Sequence, residues 1–274
     1  MVNNEKYTEL LLYLQQLGRV VVAFSGGVDS TFLLRAAKEA LGEENVKAIT
    51  IATPYIPRWE LDEAKVFAKE MGIAFERMEF PLPEAIKNNP EDRCYLCKKA
   101  VFTTLKAAAL AGGFSHVVDG TNLDDLGDYR PGLRALAELE IKSPLRDCRL
   151  TKADIRQLSQ QLRLPTWDKP SYACLLTRIP YGQELKAEDF IKIEQAERYL
   201  MQLGFRAVRV RLHGTLARIE VPAPQRRELF DEQLLTQISS QLKAFGFHYV
   251  TLDLEGYRTG SFNEALPMAG GDDR

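Results

Sequence analysis

Residues 19–30 read RVVVAFSGGVDS. Arg19 to Phe24 is a short apolar run rich in β-branched residues, which suits a buried strand. A glycine pair closes it, and Thr31 to Leu41 then sets helix-forming residues at helical spacing. Strand, glycine loop and helix in that order make a receiver for an anion. Gly26 and Gly27 remove side chains that would hold the backbone away from a phosphate, and they permit torsions closed to other residues. Ser25 and Ser30 add hydroxyl donors, while the helix start presents unpaired N–H groups and the positive end of its dipole. Asp29 is the odd member, since a carboxylate beside phosphates is repulsive unless a cation such as magnesium lies between them. The competing reading, a glycine turn followed by a Ser or Asp cap, leaves most of the hexapeptide Ser25 to Ser30 without a reason. A Walker-type loop would need a lysine near its end, and this stretch has none.

Outward from this stretch the alternation continues. Val46 to Ala52 reads as a strand, Trp59 to Met71 as a helix, Phe75 to Phe80 as a strand, Lys98 to Ala111 as a helix and His116 to Gly120 as a strand. Such alternation predicts an α/β fold with a doubly wound parallel sheet. Ligands of these sheets bind beyond the carboxyl ends of the strands, so the loops after Phe24, Ala52 and Gly120 are expected to share one crevice. Lys152 to Leu162 reads as another helix. Pro165 to Gly182, with three prolines, interrupts regular structure. A second, smaller α/β domain is expected beyond it: a helix near Ala187 to Leu203, strands near Ala207 to Leu212 and Ala217 to Val221, a helix near Gln225 to Ala244 and a strand from His248 to Leu254. The expected division is residues 1–168, a connecting loop 169–182 that bears a cysteine, and residues 183–274 for substrate binding and oligomerisation.

Bulk properties narrow the classes of function. The chain has 274 residues, 27% of them charged and 45% hydrophobic, the balance of a folded, soluble protein. A formal net charge of -2 argues against broad wrapping of nucleic acid, which leaves a small ligand as the expected partner. The first residues, MVNNEKYTELLLYLQQLG, carry Glu5 and Glu9 within their apolar stretch and read as an amphipathic helix; with no apolar run of membrane length, a cytoplasmic location is expected. Four cysteines in such a chain suit metal or catalytic work better than a disulfide framework.

Two further segments bear chemistry. Gly120 to Gly132, GTNLDDLGDYRPG, follows an expected strand and should face the same crevice. Asp124, Asp125 and Asp128 are candidates to complete a metal site and Arg130 to touch phosphate; the alternative is a solvated acidic turn. Cys94 and Cys97 form CxxC, Cys148 lies in RDCRL, and Cys174 lies in KPSYACLLTRIPYG. The CxxC spacing suits a metal, a cluster or a redox pair. A structural zinc is disfavoured, because no second CxxC and no paired histidines supply the remaining ligands. Three thiolates on a cubane iron-sulfur cluster would leave one iron open to carry an extra sulfide. Cys174 is the candidate third ligand ahead of Cys148, because Arg178 nearby favours its thiolate. In the second domain Arg209 and Arg211 alternate along an expected strand, which puts both on one face suited to a phosphate; the alternative is a solvated strand face.

The stretch SGGVDS resembles the PP-loop ATP pyrophosphatases, which break ATP between its α- and β-phosphates. That resemblance implies an adenylylated substrate and pyrophosphate, with ATP and Mg2+ held by Ser25, Gly26, Gly27, Asp29, Ser30, Gly120, Asp124, Asp128 and Arg130. Together with GDYRPG, ACLLTRIPYG and VRVRLHGTLARIEVP, it resembles the LarE family of ATP-dependent sulfur transferases of nickel-pincer nucleotide biosynthesis. The similarity spans nearly the whole chain. It implies that the carboxylates of a pyridinium biscarboxylate mononucleotide are adenylylated and converted to thiocarboxylates for the cofactor of lactate racemase. It implies Thr177, Arg178, Arg209 and Arg211 at the substrate phosphate, with Glu197 and Glu220 orienting the arginines or serving as bases. The family's two branches imply that sulfur comes either from Cys174, sacrificed as the nucleophile, or from a sulfide on a 4Fe-4S cluster held by Cys94, Cys97 and Cys174. The family further implies a homo-oligomer, in the manner of a hexamer, with contacts to other nickel-pincer biosynthesis proteins. The competing enzyme reading is a PP-loop tRNA thiolase or amidating synthetase, against which the lack of an RNA-binding extension, a glutaminase domain or strong positive charge counts. A nucleotide-sensing module without chemistry leaves Cys174 and the paired arginines unexplained.

Overall fold

A computed structural model describes residues 4–127 and 131–258. The chain forms two compact units, Met1–Ser171 and Tyr172–Arg274. In the first, helix α1 (Glu5–Leu17) starts on the Asn4 side chain, which accepts from the Tyr7 amide, and stops at Gly18. Strand β1 (Val20–Ala23), helix α2 (Val28–Leu41), strand β2 (Val46–Ala52), helix α3 (Arg58–Glu70) and strand β3 (Ala74–Glu79) follow. Helix α4 (Arg93–Ala111) leads to strand β4 (His116–Val118), short helices α5 (Gly132–Glu138) and α6 (Pro144–Asp147), and helix α7 (Lys152–Gln161).

The four strands are all parallel, in the order β3-β2-β1-β4. Alternation along β1 makes the sheet two-faced. Val20 and Val22 join the core formed with α1, α2 and α7, whereas Val21 packs with Phe102, Leu105 and Leu136 of α4 and α5. Helices therefore cover both faces, and the expected doubly wound α/β architecture is present. The chain winds outward from β1 through β2 to β3 and then returns to the other side of β1, so the direction of winding reverses between β1 and β4. That reversal opens a crevice at their carboxyl ends.

The second unit contains helix α8 (Ala187–Gln202), strands β5 (Arg209–His213) and β6 (Leu216–Glu220), helix α9 (Glu232–Ala244) and strand β7 (Tyr249–Leu252). Strand β6 pairs antiparallel with β5 and parallel with β7. Among the described residues no helix is long and apolar enough to cross a membrane.

Several boundaries differ from the sequence reading. Helix α2 begins at Val28, which puts Asp29 and Ser30 in its first turn. Helix α4 begins at Arg93 rather than Lys98 and takes both cysteines of the CxxC pair into its first turn. Its early start is held from outside: the Arg134 guanidinium lies 3.6 Å from the Tyr95 ring centre, and the Tyr95 hydroxyl donates to Glu138 at 2.9 Å. The single helix expected over Gln225 to Ala244 is divided into a 3-10 stretch, Ala223–Phe230, and α9, because Asp231 accepts from the Leu234 amide and starts a new helix.

Candidate active site

The loop leaving β1 is closed by its own serines. The Ser25 and Ser30 hydroxyls lie 3.0 Å apart, and the Ser25 hydroxyl accepts from the Gly27 amide at 3.3 Å. The Thr50 hydroxyl of β2 donates to the Phe24 carbonyl at 2.6 Å and steadies the end of the strand. Gly26 has φ +68°, and a Cβ there would stand 3.0 Å from that of Ala64 on α3. Gly120, after β4, approaches as closely from the other side: a Cβ would stand 3.0 Å from the Ser30 amide nitrogen and 3.2 Å from the Asp29 Cβ. The loops after β1 and β4 therefore meet around the first turn of α2, where unpaired amides and the helix dipole face the crevice.

The Asp29 carboxylate, within this turn, is ion-paired to Lys152 and also accepts from the Asn122 side chain at 3.3 Å. An ammonium thus lies beside Asp29, where the sequence reading expects a cation. Lys152 is the first residue of α7, capped by Thr151 and Asp154. Its backbone amide donates to Asp124 at 2.8 Å, so Asp124 is bound to that helix start, while Asp125 accepts from the Asn122 amide at 2.9 Å. Asp128 and Arg130 lie outside the described residues.

The loop after β2 reaches the cysteine pair. The hydroxyl of buried Tyr55 lies 3.0 Å from the Cys97 sulfur. Burial pushes the Cys97 thiol up, and the Tyr55 hydrogen bond opposes that shift. Cys94 is exposed, and its i, i+3 spacing in α4 places it on the same helical face as Cys97. Two sulfurs so placed fit two corners of a cluster. Within either unit taken by itself, no three His, Cys, Asp or Glu side chains converge among the described residues to hold a metal ion. Cys148 is buried, its thiol pushed up to about 12 by burial and then by Glu9 and Asp147, which makes it inert.

In the second unit Cys174, half-buried, precedes a 3-10 turn, Leu175–Arg178. Arg178 is 1% exposed and gives Glu197 two bonds of 2.8 and 2.9 Å. It also donates to the Ala173 and Cys174 carbonyls and to the Thr177 hydroxyl. Its charge is therefore matched by Glu197, and it orders the backbone around Cys174. Arg211 pairs with Glu220 at 3.0 and 2.8 Å and donates to the Thr177 carbonyl at 2.6 Å. Arg209, 2% exposed, stacks at 4.8 Å from the Tyr257 ring centre and 5.6 Å from that of Tyr172. Burial, then the neighbouring Arg178 charge, lower its pKa, which marks a position that favours an anion. Arg178 and Arg211 are buried and held by carboxylates, and buried Arg209 donates to the Val208 carbonyl at 2.8 Å, unlike the residues of a solvated strand face.

Sequence reasoning missed Lys152, Lys169 and Tyr55. Each meets its partner far away in sequence, 123 residues for Lys152, 143 for Lys169 and 42 for Tyr55; the start of α7 at the Thr151 capping box was the one local signal for Lys152.

A parallel sheet whose first strand runs through SGGVDS into a helix, with glycines at both loops of the reversal point, defines the PP-loop class of ATP-using enzymes. Residues 5–107 match the NAD synthase family, and a 55-residue segment is 40% identical to a glutamine-dependent NAD(+) synthetase of Thermotoga maritima, covering 20% of this chain and 10% of that one. Likeness over the full length lies elsewhere. An uncharacterised protein of Synechocystis is 43% identical over 264 residues, 95% of this chain and 98% of its own. The pyridinium-3,5-bisthiocarboxylic acid mononucleotide synthase of Lactiplantibacillus plantarum is 38% identical over 268 residues, 96% of each chain. The chain belongs to the family of that synthase, the LarE family.

Proposed function

We propose that this protein is an ATP-dependent sulfur transferase that converts the carboxylates of a pyridinium-3,5-biscarboxylic acid mononucleotide to thiocarboxylates. The observation that carries the reading is that one chain, alike over 96% of its length to a synthase of that product, holds a phosphate loop at Ser25 to Ser30 in one unit and a cysteine-bearing turn ordered by buried arginines in the other. A substrate carboxylate oxygen attacks the α-phosphorus of ATP, the bond to the β-phosphate bridging oxygen breaks, and pyrophosphate leaves. Sulfur then attacks the carbonyl carbon of the acyl adenylate, and AMP departs with the carbon-oxygen bond electrons. The Gly27 and Ser30 amides and the serine hydroxyls hold the phosphates. Asp29 would hold Mg2+, which neutralises phosphate charge when bound, and Lys152 is then free to face the leaving pyrophosphate. Gly120 keeps the crevice narrow, and the family resemblance assigns Asp124, Asp128 and Arg130 to ATP and its metal. Thr177, Arg178, Arg209 and Arg211 receive the substrate phosphate, and Glu197 and Glu220 hold the arginines in place.

Cys94, Cys97 and Cys174 would hold a 4Fe-4S cluster, which would supply the sulfur as sulfide; the alternative source is sacrificial Cys174 itself. The cluster reading gives the adjacent Cys94 and Cys97 a role, whereas sacrifice of Cys174 alone leaves them none. A homo-oligomer of hexameric type, working in the cytoplasm with other nickel-pincer biosynthesis proteins, completes the reading on family resemblance and is tested by light scattering of the purified chain.

The decisive experiment incubates anaerobically purified protein with ATP, Mg2+ and the pyridinium biscarboxylate mononucleotide. Equal release of AMP and pyrophosphate with replacement of carboxylate oxygen by sulfur in the product mass supports the function. No pyrophosphate release overturns it. Iron and sulfide in the protein with visible absorption support the cluster; colourless, iron-free protein after anaerobic reconstitution, or loss of one sulfur from Cys174 on turnover, overturns it in favour of sacrifice.

A further inference from the structure

Lys169 lies in the first unit, far from the phosphate loop in sequence. Its ammonium donates to the Gly26 carbonyl at 3.1 Å and to the Glu63 carboxylate at 2.8 Å. The side chain is 12% exposed and passes near the Trp59 and Phe67 rings, at 5.6 and 5.8 Å from their centres, so it is a packed strut. Glu63 and Trp59 belong to α3, the helix whose Ala64 faces the bare Cα of Gly26.

The Gly26 carbonyl shares a peptide plane with the Gly27 amide, and in a trans peptide the two point to opposite sides. Two consecutive glycines let that plane turn over at little steric cost. One orientation aims an amide hydrogen toward the anion and the other aims a carbonyl oxygen, which repels it. Neither glycine can choose, since neither has a side chain. The Gly27 amide side of the plane meets only the neutral Ser25 hydroxyl, at 3.3 Å, whereas the Gly26 carbonyl side takes the charge-assisted bond from Lys169, itself anchored by Glu63.

We infer that Lys169 is a positioning residue which holds the Gly26–Gly27 peptide in the orientation that receives phosphate. The inference rests on the reading of Ser25 to Ser30 as the ATP site and adds the residue that sets its geometry.

The test uses the full chain and its Lys169→Met and Lys169→Arg variants. Titration with Mg2+-ATP is expected to show affinity weakened about ten- to a hundredfold in Lys169→Met, the worth of a charge-assisted hydrogen bond. The KM for ATP should rise in step while kcat at saturating ATP changes little, and Lys169→Arg should recover part of the affinity. In 15N-labelled protein the Gly27 amide resonance should move in Lys169→Met and return toward its place in Lys169→Arg. Unchanged ATP affinity and an unmoved Gly27 resonance in Lys169→Met overturn the inference, as does weaker thermal stability with KM unaltered. If Lys169→Met fails to fold, Glu63→Gln, which loosens the same strut, must raise the KM for ATP or the inference falls. Wild-type protein that binds Mg2+-ATP but releases no pyrophosphate overturns the adenylylation reading, and the affinity comparison still decides the role of Lys169. Wild-type protein that binds no ATP overturns both.

Discussion

Lys152 reaches the Asp29 carboxylate across the crevice, joining the first residue of α7 to the first turn of α2. The pair is partly solvated, so it adds little to stability, and its importance lies in the charge it places beside the phosphate loop. On the proposed reading, Asp29→Asn removes the ligand for a divalent cation. Pyrophosphate release is expected to fall at least about a hundredfold, with a higher Mg2+ concentration needed for half-maximal rate. Lys152→Met should weaken ATP affinity and leave the Mg2+ requirement in place. Initial-rate measurements over a Mg2+ series check both; an Asp29→Asn enzyme with an unaltered Mg2+ profile removes Asp29 from the metal site.

Gly120 has no room for a side chain. A methyl group there would press on the Ser30 amide and the Asp29 Cβ, both part of the start of α2 where phosphate is proposed to bind. Gly120→Ala is expected to cost about 1–3 kcal/mol of stability through overpacking. It should weaken ATP binding as well, because the first turn of α2 must shift. Calorimetric titration with Mg2+-ATP beside thermal melting separates the two effects, and wild-type ATP affinity in this variant would show that the β4 loop is not part of the site.

The sheet is legible in the sequence because β1 is a continuous apolar run and β2 nearly one, broken by Lys47 and Thr50, as suits strands buried on both faces. The phosphate loop is legible because its chemistry is contiguous: two glycines, two serines and an aspartate between one strand and one helix. Helix α5 is not, because it is short and seated by tertiary contacts, with Gly132 close against Lys98 and Arg134 over Tyr95. The early start of α4 is hidden for the same reason. Lys152 and Lys169 could not be assigned from local pattern, since a lysine looks solvated until a distant carboxylate or carbonyl is placed beside it. Among the arginines, residue type and strand alternation pointed to Arg209 and Arg211. Only the fold shows that Glu220 holds Arg211 and that Glu197 takes Arg178.

The Arg178–Glu197 pair lies among apolar groups, with side chains 1% and 8% exposed, and Glu197 also accepts from the Val210 amide of β5 at 2.9 Å. Glu197→Ala strands a buried guanidinium and an amide together. A loss of about 3–5 kcal/mol is expected by urea denaturation, with Glu197→Gln milder because it keeps an acceptor. A loss below about 1 kcal/mol for Glu197→Ala would mean that solvent reaches the pair. The expected loss also explains why Cys174 lies in an ordered turn: the guanidinium that binds the Ala173 and Cys174 carbonyls is itself held by Glu197.

Burial makes the first unit sensitive to alkali. Cys148 is pushed up to about 12, as is the Tyr13 hydroxyl, which donates to Asp147 at 3.0 Å. For such groups the folded state holds its proton more tightly than the unfolded chain. Their contribution is therefore complete below the unfolded pKa, about 9 for the thiol and about 10 for the phenol. It declines as pH climbs from there toward 12, because only the unfolded chain gains by ionising. The urea midpoint is expected to hold steady between about pH 7 and pH 8.5 and to fall steadily above about pH 9. Cys148→Ala removes one of these groups and should flatten the decline while lowering stability at neutral pH through the small cavity it leaves. An equally steep alkaline decline in Cys148→Ala would assign the whole effect to the tyrosines, and Tyr13→Phe, which keeps the ring and discards the ionisable hydroxyl, would then carry the flattening instead.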